Sequence, residues 1–576
     1  MGNVPYIDWE REFRYTFNPL IQSEEREMKK IFHALLTFSI LFGFFSGPAP
    51  ASSKKEPLTV AESSDFTATS SYSDVMEFTR ELQRQSSLLR VETLCLSLEG
   101  RRVPLLVLGN PAPASPLSLK RDKRGVVYIQ ANIHAGEVEG KEASLMLARD
   151  ILLQEIPPFL DRLVILIAPI FNADGNEKIS TKNRQNQAGP EKGVGIRPNS
   201  QNLDLNRDSM KLESPELQGL IQNVLMRWDP FLLVDCHTTN GSFHEEPVTY
   251  SWPLNPNGAT SIIEYMREKM MPWVNTHLKE KYKTLSIPYG DFMDFRNPEK
   301  GWSTFNHHPR FVTNYVGLRN RLAILNENYS YADYKTRVYG CYHFLLSILE
   351  YCYQHNDEIS ELVAGADQKV IKSGLNPTEN DSFAVEFDVK PFKEPVRILS
   401  WEMEAIPTER GFPQVKKTDK KKTYTLPYYA DFKPKRIVKF PYAYLLPAPI
   451  PEVKEKLLQH GVVVEELTES HTLEVESFEP KEIKGVERIY QGHRLNTVKG
   501  EYVLGEREFP AGTLFIGTAQ PLGMLAAYLL EPESDDGLFV WNFLDRYVVP
   551  QWGGSFTTYP VFRLLKPVKL LKDTRR

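Results

Sequence analysis

Four apolar runs in this chain each lead directly into a polar residue, and their composition predicts buried strands. Residues 125–133 run into His134-Ala-Gly-Glu137, 163–170 into Phe171-Asn-Ala-Asp-Gly175, 231–236 into His237, and 321–326 into Glu327. Short β-branched runs bounded by Gly, Pro and Asn read as buried parallel strands, and ligand sites in open α/β sheets lie beyond the carboxyl ends of such strands. Between them, 141–154 predicts a helix with Ala143, Leu147, Ile151 and Leu152 on one buried face. Further helices are predicted over 215–226 and 261–270. The segment 333–353 reads as a long helix, apolar on most sides and so largely buried. Strands alternating with helices from residue 72 to about 365 give an α/β fold class.

Beyond 365 the pattern changes. Short strands are predicted over 384–389, 396–403, 422–426, 464–467 and 472–478, with helices at 451–459 and, opened by a proline, at 521–530. This is a strand-rich α+β carboxyl-terminal region, 366–576, following an α/β domain at 74–365. Residues 52–73, rich in Ser, Thr, Lys and Glu, read as a linker. The lysine run 416–422 reads as a solvated loop, and 531–537 as a surface turn lacking the spacing of a calcium-binding loop. Residues 179–202 form a long polar Gly/Pro-rich loop, a length that marks a functional segment inside a compact domain.

Composition narrows the classes. A chain of 576 residues is too long for one core. Its net charge of -5 gives no electrostatic footprint for nucleic acid. Met28-Lys-Lys30, an apolar stretch at 31–45 and Ala49-Pro-Ala51 form the three parts of a signal peptide at 28–51, which predicts export to the periplasm or beyond. Residues 1–27 fit no leader and read as a mis-assigned upstream segment. No other run reaches membrane-spanning length, so no membrane span is expected after the leader is removed. Cys341 and Cys352, eleven positions apart in one predicted helix, lie roughly 16 Å from each other, beyond disulfide reach.

The polar residues at the strand ends have metal chemistry. A catalytic zinc takes three ligands from His and carboxylate and keeps a position open. His134 and Glu137 are spaced to converge where a strand meets a helix, and His237 arrives from another strand. The same donor set also suits non-haem iron. Glu327 could take the proton of an attacking water and pass it to a leaving amine. Asp204-Leu-Asn-Arg207 adds a guanidinium suited to clamping a carboxylate. Alternation along the strands points Cys236 and Asn326 away from this centre. His244, His277, His307 and His308 lack ligand spacing and are assigned surface or loop roles, and no His-Glu-x-x-His helix exists.

The ordered set His134-Ala-Gly-Glu137, Asn172-Ala-Asp-Gly175, Asp204-Leu-Asn-Arg207, Asp235-Cys-His237 and Glu327 resembles the zinc metallocarboxypeptidase family of the carboxypeptidase A type. The resemblance covers about residues 75–365. It implies a three-layer sandwich around a mixed eight-stranded sheet, and one zinc ion held by His134, Glu137 and His237. It also implies Glu327 as general base, Asn206 and Arg207 on the substrate's terminal carboxylate, and Asp204 orienting the first His from outside the ligand set. An arginine that polarises the scissile carbonyl is implied too, with Arg184 the first choice and Arg197 the second. Tyr315 is the candidate for the tyrosine that caps the substrate, with Tyr289 competing. The expected activity is hydrolysis of peptide bonds at or near a carboxyl terminus, with a peptide as partner. The alternatives are a zinc-dependent deacylase of N-acyl amino acids on the same architecture, or a catalytically inactive binding protein. The specificity pocket, the oligomeric state and the role of the carboxyl-terminal region stay open.

Overall fold

The computed structural model describes residues 56–154, 158–239, 241–406, 414–447 and 450–575. The expected leader at 28–51 and the upstream segment 1–27 lie outside the described residues. Residues 56–576 form one compact unit.

Ten strands belong to the amino-terminal half: β1 (Leu89–Leu96), β2 (Arg102–Leu108), β3 (Gly125–Ala131), β4 (Leu163–Ala168), β5 (Leu232–Thr239), β6 (Val248–Ser251), β7 (Ser286–Pro288), β8 (Asp291–Phe292), β9 (Trp302–Ser303) and β10 (Leu322–Tyr329). Eight of them make one mixed sheet in the order β1-β2-β4-β3-β5-β10-β6-β7. The central strands β3, β4, β5 and β10 run parallel, whereas β1/β2, β2/β4 and β6/β10 pair antiparallel. β3, β4 and β5 are buried along their whole length, which is why they read as near-continuous apolar runs.

Of the helices that cover this sheet, Glu139–Leu153 and Tyr334–Gln354 are where the periodicity places them, while Tyr72–Gln85 and Val312–Leu318 had no expectation. α1 (Tyr72–Gln85) starts with a capping box between Ser71 and Asp74, α2 (Glu139–Leu153) follows the loop after β3, and α3 (Val312–Leu318) precedes β10. α4 (Tyr334–Gln354) is buried over most of its length and packs against α2. Cys341 and Cys352 both lie in α4 and are free thiols. α5 (Asn356–Leu375) runs across the boundary expected at 365/366, so the two halves are joined by a continuous helix.

The carboxyl-terminal half contributes β11 (Ser382–Pro391), β12 (Val396–Ile406), β13 (Gln414–Leu426), β14 (Tyr428–Lys439), β15 (Ala443–Leu446), β16 (Val464–Leu467), β17 (His471–Gly485), β18 (Asn496–Phe509), β19 (Leu514–Gly517), β20 (Phe562–Leu564) and β21 (Lys572–Arg575). Seven form a sheet ordered β18-β17-β20-β15-β19-β16-β21. A second sheet, β11-β14-β9-β8, mixes strands from both halves, because Tyr428 and Tyr429 pair with Trp302 and Ser303.

Two expectations change here. The lysine run is not a loop: it lies on β13, where Lys417 pairs with Met403 and Lys421 with Trp401 in a two-stranded ribbon with β12. A ribbon open to water on its faces accepts lysine at successive positions, because the ladder bonds come from the backbone. The described part of the expected linker is also packed. Thr69 Oγ1 and the Ser70 amide donate to Glu142 Oε1 at 2.8 and 2.7 Å, and Glu142 is fully buried on α2. A buried carboxylate needs such donors, and the polar Ser/Thr composition that suggested a linker supplies them.

Candidate metal centre

The centre sits where the strand order reverses around β3, whose neighbours are β4 on one side and β5 on the other. Such a switch point opens a crevice at the carboxyl ends of the strands. β5 and β10 extend further than their apolar runs. His237 and Glu327 therefore lie within strands, as register partners on adjacent parallel chains, and that register brings the two side chains to the same sheet face. One position earlier, Cys236 and Asn326 are also partners. They face α2 and α4, as alternation requires: Cys341 Sγ lies 3.2 Å from Asn326 Oδ1, and a Cβ added to Gly140 would sit 2.5 Å from Cys236 Cβ.

The loop from β3 to α2 carries the other two donors. Asn132 holds a left-handed φ of 65°, a conformation asparagine tolerates. Its Nδ2 donates to the carbonyls of Ala135 and Glu137, both at 3.2 Å, closing the loop around His134. Gly136 has a steric reason, since a Cβ there would lie 2.6 Å from Arg184 Cδ.

The three expected ligands meet. His134 Nδ1 lies 3.2 Å from His237 Nδ1, Glu137 Oε2 is 3.0 Å from His237 Nδ1, and Glu137 Oε1 is 3.2 Å from His134 Nδ1. All three residues are buried. The outer nitrogens face carboxylates: His134 Nε2 is 2.9 Å from Asp204 Oδ1, and His237 Nε2 is 2.8 Å from Asp235 Oδ2. An Nε2–H directed at Asp204 leaves the His134 Nδ1 lone pair pointing inward, the arrangement by which outer partners orient metal-binding imidazoles; His237 Nε2 has Asp235 beside it and the Asn206 side-chain amide at 3.4 Å. Asp235 is a participant to which the sequence reading gave no role. Its signal was there, since position i−2 on a strand shares the face of His237. Two imidazoles and a carboxylate, converging and buried, are the donor set of a zinc site.

Charge around the centre follows from these contacts. Burial pushes the Glu137 carboxyl up, but the charges of His134 and Arg184 outweigh it and hold the group well below the usual range. For His237, burial is opposed by Asp235 and Glu137, which carry its pKa well above that of a free imidazole. Asp204 is buried too, yet His134, Arg207 and Arg197 keep it far into the ionised range. Burial of Glu327, with the Glu137 charge beside it, pushes its carboxyl up to about 8 against the pull of His237, Arg184 and Arg197.

A cavity of about 260 Å³ opens over the centre, lined by the three donors and Glu327 together with Arg184, Arg197, Asn206, Arg207, Tyr289, Phe305 and Phe311. Arg184 Nη1 donates to Glu137 Oε1 and Nη2 to the Thr238 carbonyl, both at 2.9 Å. Arg197 grips Asp204 Oδ2 with Nε and Nη2, each at 2.8 Å. Asn206 Oδ1 accepts from the Val312 amide at 2.9 Å, and the Arg207 guanidinium stacks 4.2 Å from the Phe311 ring centre. Asn172 caps the short helix Ala173–Asn176 and donates to the Arg197 carbonyl at 3.2 Å, so the Asn-Ala-Asp-Gly segment shapes the cleft from behind.

One expected residue does not join this group. Tyr315 is buried on α3, where its hydroxyl meets His460 Nδ1 at 2.7 Å and Arg319 Nη1 at 3.3 Å. α3 is buried on every side, and the face carrying Tyr315 packs against the carboxyl-terminal half. Tyr289 lines the cleft instead. Of the histidines given surface or loop roles, His244 and His307 lie in loops, but both are buried, His244 stacked 4.0 Å from Tyr329.

Residues 75–250 match a family described as zinc carboxypeptidase. The chain is 22% identical over 527 residues to carboxypeptidase 2 of Trichophyton rubrum, covering 87% of this chain and 88% of that one. It is 23% identical over 523 residues to carboxypeptidase 2 of Trichophyton equinum, covering 87% and 88%. Among solved structures it is similar to a putative carboxypeptidase from Burkholderia mallei, at 19% identity and a TM-score of 0.37 over 49% of this chain and 68% of that one. A carboxypeptidase A from Helicoverpa armigera aligns at 14% identity and a TM-score of 0.37, over 59% and 81%.

Proposed function

We propose that this chain, which carries a zinc carboxypeptidase family domain at residues 75–250, is an exported zinc metallocarboxypeptidase that removes residues from the free carboxyl terminus of peptides. The observation that carries this reading is the convergence of His134, Glu137 and His237 within hydrogen-bond distance of one another, beside Glu327, under a cleft lined by three arginines. These residues fit a single zinc ion: all three donors are buried and two of them are oriented by carboxylates. A zinc ion held there supplies a Lewis acid that makes water nucleophilic near neutral pH and polarises a carbonyl.

The remaining roles belong to the chain's own residues. Glu327 takes the proton of the attacking water and returns it to the leaving amine. Its carboxyl shares a sheet face with His237 and lines the same cavity. Arg207 and Asn206 hold the substrate's terminal carboxylate; the Phe311 ring behind the guanidinium and the Val312 amide on Asn206 fix both side chains. Arg184 stands at the scissile carbonyl, because its guanidinium already reaches the centre through Glu137. Arg197 acts on Asp204, and so steadies His134. Tyr289 takes the capping role in place of Tyr315, since it lines the cleft and Tyr315 does not.

The test uses one peptide in two forms, with a free carboxyl terminus and with a terminal amide, alongside an N-acyl amino acid. Mass spectrometry is expected to show loss of the terminal residue from the free acid alone, and no loss after chelation. Release from the N-acyl amino acid without peptide trimming would replace this reading by a deacylase. Export rests on residues 28–51; sequencing the secreted protein's amino terminus should place it shortly after Ala51, and an intact Met1 would refute it.

A further inference from the structure

Among the described residues a second group of potential ligands comes together far from the first in sequence: His307, His308 and Asp535, each offering one atom, all within 4.8 Å of one another. His307 Nε2 lies 2.8 Å and His308 Nε2 3.5 Å from the same oxygen, Asp535 Oδ2. Two imidazoles crowding one carboxylate oxygen make a poor hydrogen-bond arrangement, because only one of them has good donor geometry. As a ligand arrangement it is a sound one.

The group is built rather than accidental. The hydroxyl of Tyr528 donates to the other oxygen, Asp535 Oδ1, which leaves Oδ2 to the imidazoles. Asn255 donates to that same hydroxyl at 3.1 Å and to the His307 carbonyl at 3.0 Å, so one amide fixes both the carboxylate and a histidine. His307 is seated between Phe387 and Phe432, with ring centres 4.2 and 4.8 Å away. Its Nδ1 is buried without a hydrogen-bond partner. Two imidazoles and one carboxylate are a donor set for zinc and similar divalent transition ions. The side chains of His308 and Asp535 remain about a quarter exposed, 24% and 25%, which gives an ion a route in and an outer coordination position.

We propose that His307, His308 and Asp535 bind a second divalent transition ion, zinc by donor type, which ties the loop 304–311 to the segment 531–537 of the carboxyl-terminal half. The site goes beyond the catalytic reading and does not depend on it. Its effect on the cleft is mechanical, since Phe305 and Phe311 of the tied loop line the cavity. The same junction is held by protein contacts: Asp536 accepts from the Arg310 amide at 2.7 Å and pairs with its guanidinium at 2.8 Å.

The test is a zinc count by mass spectrometry on full-length protein loaded with zinc and desalted. The wild type is expected to retain two equivalents, His308→Ala and Asp535→Asn one each, a His134→Ala/His237→Ala variant one, and that variant combined with His308→Ala none. Circular dichroism controls for folding, and His308→Gln replaces any variant that fails to fold. Cobalt in place of zinc should give visible absorption that falls by about half in His308→Ala. One equivalent in the wild type, or a wild-type count in both His308→Ala and Asp535→Asn, overturns the site.

Discussion

In the amino-terminal half, the three metal donors and Glu327 sit on strands or in the turn that follows one, while the arginines of the cleft lie on the loop 184–213. In the carboxyl-terminal half, the side chains that reach the same region come from turns and helix ends. His237 and Glu327 are adjacent because two parallel strands are in register. By contrast, Gln491 accepts from the Asp204 amide at 2.8 Å, His493 Nε2 lies 2.8 Å from Glu213, and His460 meets Tyr315. The difference separates two jobs. A sheet buried on both faces gives fixed positions to groups that must align within fractions of an ångström, while the second half braces the loops at 184–213 and 304–311 against that frame.

This contrast predicts a graded series of effects. Glu327→Gln, which keeps shape and removes the base, should lower kcat by roughly 10²–10⁴-fold while zinc content is unchanged; normal turnover would remove Glu327 from the mechanism. Arg207→Ala should lower kcat/KM on free-acid peptides by about 10²–10³-fold, the cost of losing one partner of a charge-assisted pair. An equal loss on substrates without a terminal carboxylate would show that Arg207 is structural.

The junction between the halves should show itself in stability. Glu246 is buried, accepts from the Leu399 amide of β12 at 2.9 Å through Oε1, and leaves Oε2 unpartnered. Burial pushes its carboxyl up to about 7. The folded state therefore binds the proton more tightly than the unfolded chain, and stability falls as pH rises from the unfolded value near 4.5 through about 7. Relative to Glu246→Gln, which mimics the protonated form, the wild type should lose up to about 3 kcal/mol across that window and change little above it. Denaturant unfolding at pH 5 and pH 8 measures this; a constant difference between the two proteins would contradict it.

The smallest effect belongs to the most distant contact. Gln491→Ala removes one hydrogen bond from the backbone of Asp204, which should cost about 0.5–1.5 kcal/mol and lower kcat/KM between two- and ten-fold. A loss as large as that of Arg207→Ala would mean that the carboxyl-terminal half does more than brace the loop.

The sequence made much of the sheet legible and little of the junction. β3, β4, β5 and β10 announce themselves because strands buried on both faces must be apolar, and a polar residue at the end of such a run stands out. The three donors and Glu327 were readable for that reason, whereas Asn206 and Arg207 were found through the resemblance of Asp204-Leu-Asn-Arg207 to a family motif. Tyr315 was misplaced because α3 is buried on every side, so its pattern does not say which face meets the cleft. His307, His308 and Asp535 were invisible as a group: more than two hundred residues separate them, and no local period marks a contact made between loops. The lysines of β13 misled for the opposite reason, since an exposed ribbon leaves no apolar alternation to read.

The central claim is that His134, Glu137 and His237 hold one zinc ion, and anomalous scattering at the zinc edge from crystals of the zinc-loaded protein tests it most directly. The account predicts a peak about 2.0–2.2 Å from His134 Nδ1, His237 Nδ1 and a carboxylate oxygen of Glu137. Zinc-loaded crystals with no peak among those three side chains would contradict it.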